Sequence, residues 1–445
     1  MNILSLFRGT ALCAAAITLF ALLGTTASAQ ERSRHTDTWN FGTKCRVAWN
    51  MDATQLTFSV DPSITTGEGC ASFSDPKTGA LLLYTDGRTV YNAAGGAIIS
   101  DLPGDPSSLH SAVIVPVPAE PGKVYVFAHG DSSATTLGYR RFDLTGASAV
   151  PEAGSTTQSI SVPQGREGMI VVQHANGIDS WLLVTGNNLL YRFSVTAADG
   201  VSAPTVITTG IPISAWGVFA VSHQNDRIVV AGHVGTKMLS YDFNNTTGEL
   251  TGETTLIAAN TINQFYGGVF SPDGSKLYFS TLDESGGSAG PSRFYQYDYD
   301  SDTRTVLDTN ATRYTHGDGR LGPDGKIYVA TGNASPDGLH VVNNPDAAGT
   351  ACGFVASAVV APVGCNVVLG LPQIPSPLNA VALFLAVTIV DPAPLVTTTA
   401  ITPNGGANAP DGSTVVATIT GPNGFEATCN AVVNDAEWSC PVDAV

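Results

Sequence analysis

Positive charge is scarce in this sequence. Lys and Arg number 20 against 37 Asp and Glu, leaving a formal net charge of −17. Nucleic acid is a lattice of phosphates and demands the opposite balance, so it is excluded as a partner. Docking on anionic lipid gains no support either. Long apolar runs are also missing. Ala11–Leu23 and Asn379–Val390 both fall short of the ~20 residues that cross a bilayer as a helix. There is no tight Cys-x-x-Cys pair and no Cys/His cluster, which removes the usual zinc signatures. His-Glu-x-x-His is absent as well. A scattered triad stays open, because triads are assembled by the fold and not by spacing.

Glycine and proline, by contrast, are abundant, with 47 and 26 residues, while charged residues make up only 13%. That composition favours many short strands and tight turns over long helices. Residues 1–29 have the pattern of a secretory signal: Arg8 as positive flank, the apolar run, and Ala27-Ser28-Ala29 as a small-residue cleavage site. Its removal takes away Cys13 and leaves six of the seven cysteines. An even number in an exported chain points to disulfides. Local closure favours Cys45–Cys70, Cys352–Cys365 and Cys429–Cys440, although six cysteines allow fifteen connectivities.

The architecture is clearest between Tyr266 and Thr331, which says nearly the same thing twice. Gly268-Val-Phe-Ser-Pro-Asp-Gly-Ser-Lys-Leu-Tyr278 is echoed by Leu321-Gly-Pro-Asp-Gly-Lys-Ile-Tyr328, with the two tyrosines 50 residues apart. In each, Pro sets φ at the first turn position, Asp can bond its own backbone, and Gly accepts positive φ. A second-strand signature recurs at Leu81–Tyr84, Val124–Phe127, Trp181–Val184, Ile228–Ala231, Leu277–Ser280 and Ile327–Ala330, at a mean step of about 49 residues. A third-strand signature follows in phase, as at Tyr139–Phe142, Leu190–Phe193, Tyr241–Phe243 and Tyr295–Tyr299. Periods of this size mark propeller blades.

Six units begin near Glu68, His110, Glu167, Trp216, Tyr266 and Gly317. Strands around Trp39–Val60 and the segment Val367–Pro372 can combine as a closing blade, so seven blades are preferred and six are the alternative. The expected fold is therefore all-β, with a propeller over 30–390. Asn379–Val390 reads as a buried strand. Residues 391–445 read as a short Ig-like β-sandwich, incomplete against the ~100 residues usual for that fold.

Several phrases taken together resemble a known group: Trp39-Asn-Phe-Gly42, Glu68-Gly-Cys-Ala-Ser-Phe-Ser-Asp75, Leu82-Leu-Tyr-Thr-Asp-Gly87, Ser111-Ala-Val-Ile-Val-Pro116 and Gly370-Leu-Pro372, with the duplicated turns above. Their order is similar to the WD40-like propeller region of large secreted bacterial surface proteins associated with gliding motility or adhesion, which often carry Ig-like or PKD repeats. The resemblance covers Thr38–Pro375. It implies an extracellular, non-enzymatic module and supplies no catalytic residues.

If the WD-like strand order holds, the loops entering the innermost strands converge on the axis. Glu68, His110, Glu167, Trp216, Tyr266, His316 and Asp318 then share a rim able to bind a polar ligand, a sugar or a cation. The plainer reading, preferred on sequence, is that Glu and His bond neighbouring loops while Trp216 and Tyr266 pack between blades. Asp298-Tyr-Asp-Ser-Asp302 has the alternating carboxylates of a calcium loop but lacks its glycine and distal glutamate, so a solvated turn explains it more simply. The functional expectation is an exported, non-enzymatic propeller presenting loops to an extracellular protein or glycan, with no cofactor. The alternative is a propeller hydrolase or lactonase with a divalent cation in the funnel.

Overall fold

A computed structural model describes residues 33–375 apart from 132–133, 210–216, 234–236 and 285–289. Beyond 375 it describes only short strands between Thr388 and Asp443. The chain divides into one unit of Ser33–Thr388 and a second that contains Ile389–Val445. Among the described residues the only helical element is a 3-10 turn, Gly349–Cys352.

The first unit is a seven-bladed β-propeller. The innermost strands of blades 1 to 6 are Cys70–Ser74, Ala112–Pro116, Gly165–Gln173, Phe219–Val221, Phe265–Phe270 and Gly319–Leu321. Each leads outward through an antiparallel sheet, and neighbouring innermost strands lie side by side around the axis. Radial position decides the layering. In Lys276–Thr281 every residue is buried between blades, whereas the outermost strand Thr303–Asn310 is largely open to solvent. The two echoing turns are built alike: Gly274 N–H donates to Ser271 C=O and Gly325 N–H to Gly322 C=O, both at 3.0 Å. Pro272 and Pro323 start the turns, and Gly274 and Gly325 take φ of +74° and +77°.

Both ends of the propeller build blade 7. Thr38–Phe41, Thr43–Trp49 and Leu56–Thr65 pair in that order. The chain from 366 to 373 then runs from this blade to blade 1, where Pro372 and Gln373 pair in parallel with Cys70 and Ala71. Thr43 and Asn366 exchange backbone hydrogen bonds of 2.8 and 3.0 Å. Trp39 and Trp49 then pack edge-on against Tyr328 of blade 6, at 6.0 and 5.4 Å between ring centres. The closing blade expected from sequence is therefore present, and the ring has seven blades.

The cysteine pairing differs from the expectation. Cys45 is bonded to Cys365, 320 residues away, while Cys70 and Cys352 are buried free thiols. Cys45–Cys70 and Cys352–Cys365 are thus not formed, because ring closure and not chain proximity sets which sulfurs meet. Cys429–Cys440 lies outside the described residues, as do the signal segment, Trp216 and most of Asn379–Val390. In the second unit Thr414–Thr420 pairs with Glu426–Val432, Asn404–Gly406 with Glu437–Ser439, and Ala400–Ile401 with Val442–Asp443, all antiparallel. A complete sandwich lies outside the described residues.

Candidate functional site

Five of the seven expected rim residues meet near the axis: Glu68, His110, Glu167, Tyr266 and Asp318. Each stands at or just before an innermost strand, so the propeller repeat itself places them around one centre. Their environment is enclosed, with Asp318 and Tyr266 at 0%, His110 at 2% and Glu167 at 5% exposure. Close backbone approach makes this possible. A Cβ on Gly267 would lie 2.5 Å from Asp318 Cα, and one on Gly370 would lie 1.8 Å from the Glu68 carbonyl oxygen. Glycine is the residue that permits such contact.

Arg320 is the sixth member, and the sequence reading missed it. Its Nη1 donates to Asp318 Oδ1 at 2.8 Å and its Nη2 lies 2.6 Å from Oδ2. Its Nε donates to the Pro372 carbonyl at 3.0 Å. Arg320 therefore ties the start of blade 6 to the closing strand. Two signals could have found it: residues two apart on a strand share a face, and a buried carboxylate cluster calls for a cation.

Hydrogen bonds fix the remaining groups. Leu109 N–H donates to Glu167 Oε2 at 3.0 Å, joining the loop that leads into blade 2 to the innermost strand of blade 3. Met169 N–H donates to His110 Nδ1 at 3.3 Å, which assigns the imidazole proton to Nε2, 3.9 Å from Asp318 Oδ2. Burial first, and the Arg320 charge second, hold His110 well below the ordinary histidine range. It is neutral here. Burial raises Asp318, and the Arg320 guanidinium opposes that shift. Glu68 is pushed up to about 8, chiefly by burial and then by the Glu167 charge. The Tyr266 hydroxyl lies close to Glu68 but outside good hydrogen-bond geometry, and burial raises it well above the usual phenol range.

His316 does not belong to this rim. It turns outward between blades 5 and 6, where Nε2 meets Asp308 Oδ2 at 2.9 Å and Nδ1 meets Ser292 Oγ at 3.0 Å. Its ring packs 5.0 Å from that of His340. Two residues, Gly317 and Asp318, separate it from the strand that starts at Gly319. Ser292, His316 and Asp308 have the composition of a catalytic triad but not its chemistry. Ser292 is fully buried, and its hydroxyl already donates to the Thr281 carbonyl at 2.7 Å. A nucleophile needs that proton directed at a base.

The calcium-like stretch resolves as a turn. Lys276 Nζ lies 3.2 Å from Asp298 and 3.1 Å from Asp300, while Asp302 bonds the Tyr297 hydroxyl. Two of its carboxylates thus share one ammonium and the third accepts from a phenol. Among the described residues no group of three or more His, Cys, Asp or Glu is placed to hold a metal ion, so the axial residues do not fit the divalent cation of the hydrolase reading.

Fold and axis together define a seven-bladed β-propeller with an enclosed, mainly acidic centre. No family model matches the sequence, and no curated protein matches it. Solved structures share the fold at low identity. A proposed 6-phosphogluconolactonase of Bacteroides fragilis is 14% identical with a TM-score of 0.48, covering 78% of this chain and 99% of its own. The WD40 domain of SCAP from fission yeast is 12% identical with a TM-score of 0.38, over 70% of this chain and 82% of that one. A luciferin-regenerating enzyme is 14% identical with a TM-score of 0.38, over 78% and 97%. These likenesses concern the fold alone.

Proposed function

We propose that this protein is an exported, non-enzymatic propeller whose loops bind an extracellular protein or glycan at the cell surface. One observation carries the reading: three of the axial groups that could do chemistry are committed to holding the ring together. Asp318 is gripped by Arg320, Glu167 accepts the Leu109 N–H, and His110 accepts the Met169 N–H. A ring pinned at its centre keeps its peripheral loops in constant relation, which suits presentation. The leader-like residues 1–29 and the Cys45–Cys365 disulfide support an oxidising, extracellular setting. Glycan and protein arrays probed with residues 30–390 test this. A reproducible ligand whose binding is lost on changing surface loops, and kept in axial variants, is the expected result. Binding to nothing on either array, together with turnover of a small ester or lactone, overturns it.

The hydrolase reading draws on one specific feature. Glu68, raised to about 8 beside Glu167, has the poise of a general acid next to a carboxylate base. Elemental analysis and lactone or ester assays decide the matter. That reading requires turnover that falls at least tenfold in Glu68→Gln.

A further inference from the structure

The hairpin joining the two outer strands of blade 4, Met238–Asn244 and Glu249–Ile257, is anchored through its backbone and open at its side chains. From blade 3, Trp181 Nε1 and the Ala175 N–H donate to the Asn245 carbonyl at 2.8 and 3.2 Å, and Arg192 Nη1 donates to the Gly248 carbonyl at 2.6 Å. Within the turn, Asn244 Oδ1 accepts the N–H groups of Thr246 and Thr247 at 3.0 and 3.1 Å. This Asx turn occupies the oxygen of the side-chain amide. The amide nitrogen Nδ2 has no partner among the described residues, and neither has the Thr246 hydroxyl. Asp242, Asn244 and Thr246 are all exposed, so the stretch is open to an enzyme.

We propose that Asn244 is an acceptor for an N-linked glycan, a reading that rests on export of the chain. The acceptor motif Asn-x-Ser/Thr needs an amide nitrogen and a hydroxyl two residues on. It occurs at Asn244, Asn245, Asn310 and Asn333. The structure separates the four. Asn333 Nδ2 donates to the Arg313 carbonyl at 3.4 Å, and Asn245 and Asn310 are half-buried. Asn244 combines exposure with an uncommitted nitrogen. The donor is an oligosaccharide on a polyprenyl diphosphate, brought by a membrane transferase. Nδ2 bonds to C1 of the first sugar, the C1–oxygen bond to the diphosphate breaks, and the diphosphate leaves with that electron pair. The Nδ2 proton passes to a base of the transferase. Successive strands of a blade run antiparallel, so this turn lies on the side of the ring that carries the Pro-Asp-Gly turns. The loops entering the innermost strands lie on the other side, and a glycan at Asn244 leaves them clear for binding.

The test is incubation of the folded full chain with an oligosaccharyltransferase and a polyprenyl-diphosphate oligosaccharide, followed by peptide mass spectrometry. It is independent of export, which is read separately from whether the chain recovered from cells begins at Gln30. The peptide containing Asn244 should gain the mass of one glycan. Asn244→Gln should lose that gain, although the Asn245 motif, which uses Thr247, is intact. Thr246→Val keeps the Asn244 amide and the Asn245 motif, and should lose the gain as well. This second variant decides the matter where Asn244→Gln disturbs the turn. Absence of glycan from the Asn244 peptide of the wild-type chain overturns the proposal. So does an undiminished glycan on that peptide in either variant, which assigns the acceptor to Asn245.

Discussion

At the scale of single residues, the axis is decided by how many charges one cation can serve. Arg320 is 8% exposed and Asp318 fully buried, so removing the guanidinium strands a carboxylate in a medium of low dielectric. Arg320→Leu should cost about 3–5 kcal/mol in urea unfolding at pH 7, and Asp318→Asn added to it should restore much of the loss. Glu68 gives a second, opposite signature. Its folded pKa of about 8 stands above the unfolded value of 4.5, so the folded state holds the extra proton between those limits. Stability is therefore greatest at the acid end and falls as pH rises from 4.5 to 8, by a few kcal/mol at most. The difference in unfolding free energy between wild type and Glu68→Gln, followed across that range, should show this slope. Sequence made most of the cluster legible, because Glu68, His110, Glu167, Tyr266 and Asp318 all precede or open a repeated strand. His316 was misplaced because a loop ahead of the strand obeys no strand alternation, and Arg320 was not legible because it lies inside the strand Gly319–Leu321 and not in the loop before it.

Among elements, the seam between blades 5 and 6 is where histidine chemistry is concentrated. His340 Nε2 donates to the Thr315 carbonyl at 2.8 Å and its Nδ1 accepts the Ser357 N–H at 2.9 Å, a fully used neutral ring. Burial and the neighbouring His316 hold it down at about 4. The folded seam thus refuses a proton that the unfolded chain accepts at 6.5, and its contribution to stability is lost as pH falls from 6.5 towards 4. Asp308, lowered first by its His316 hydrogen bond, adds a loss at still lower pH, once it is protonated. In wild type minus His340→Gln, the pH 4–6.5 slope of thermal midpoints should stand out, since the other buried histidines contribute equally to both proteins. Strand identity was readable throughout, because period-two alternation and Pro-Asp-Gly turns are local facts. The histidine seam was not, because Ser292, Asp308, His316 and His340 are drawn together by the stacking of two blades.

For the molecule as a whole, closure is the governing event. The number of blades could be read from a spacing of about 49 residues together with the unpaired strands left over near both ends of the repeat. The disulfide could not, since local loops are the natural guess until the ring sets position 45 beside 365. Its loop spans 320 residues, so chain-entropy reasoning puts it at the upper end of the usual range. Cys45→Ser or Cys365→Ser should lower stability by about 2–5 kcal/mol, and reducing agent should bring the wild type down to the same urea midpoint. The arrangement also fixes when the protein can exist. Synthesis delivers the three strands of the seventh blade first, and the segment that bonds Thr43 and then runs along Cys70 some 300 residues later. A chain ending before residue 365 would therefore lack both the sulfur that meets Cys45 and the segment that lies along Cys70 and Ala71, and its ring would stay unlocked.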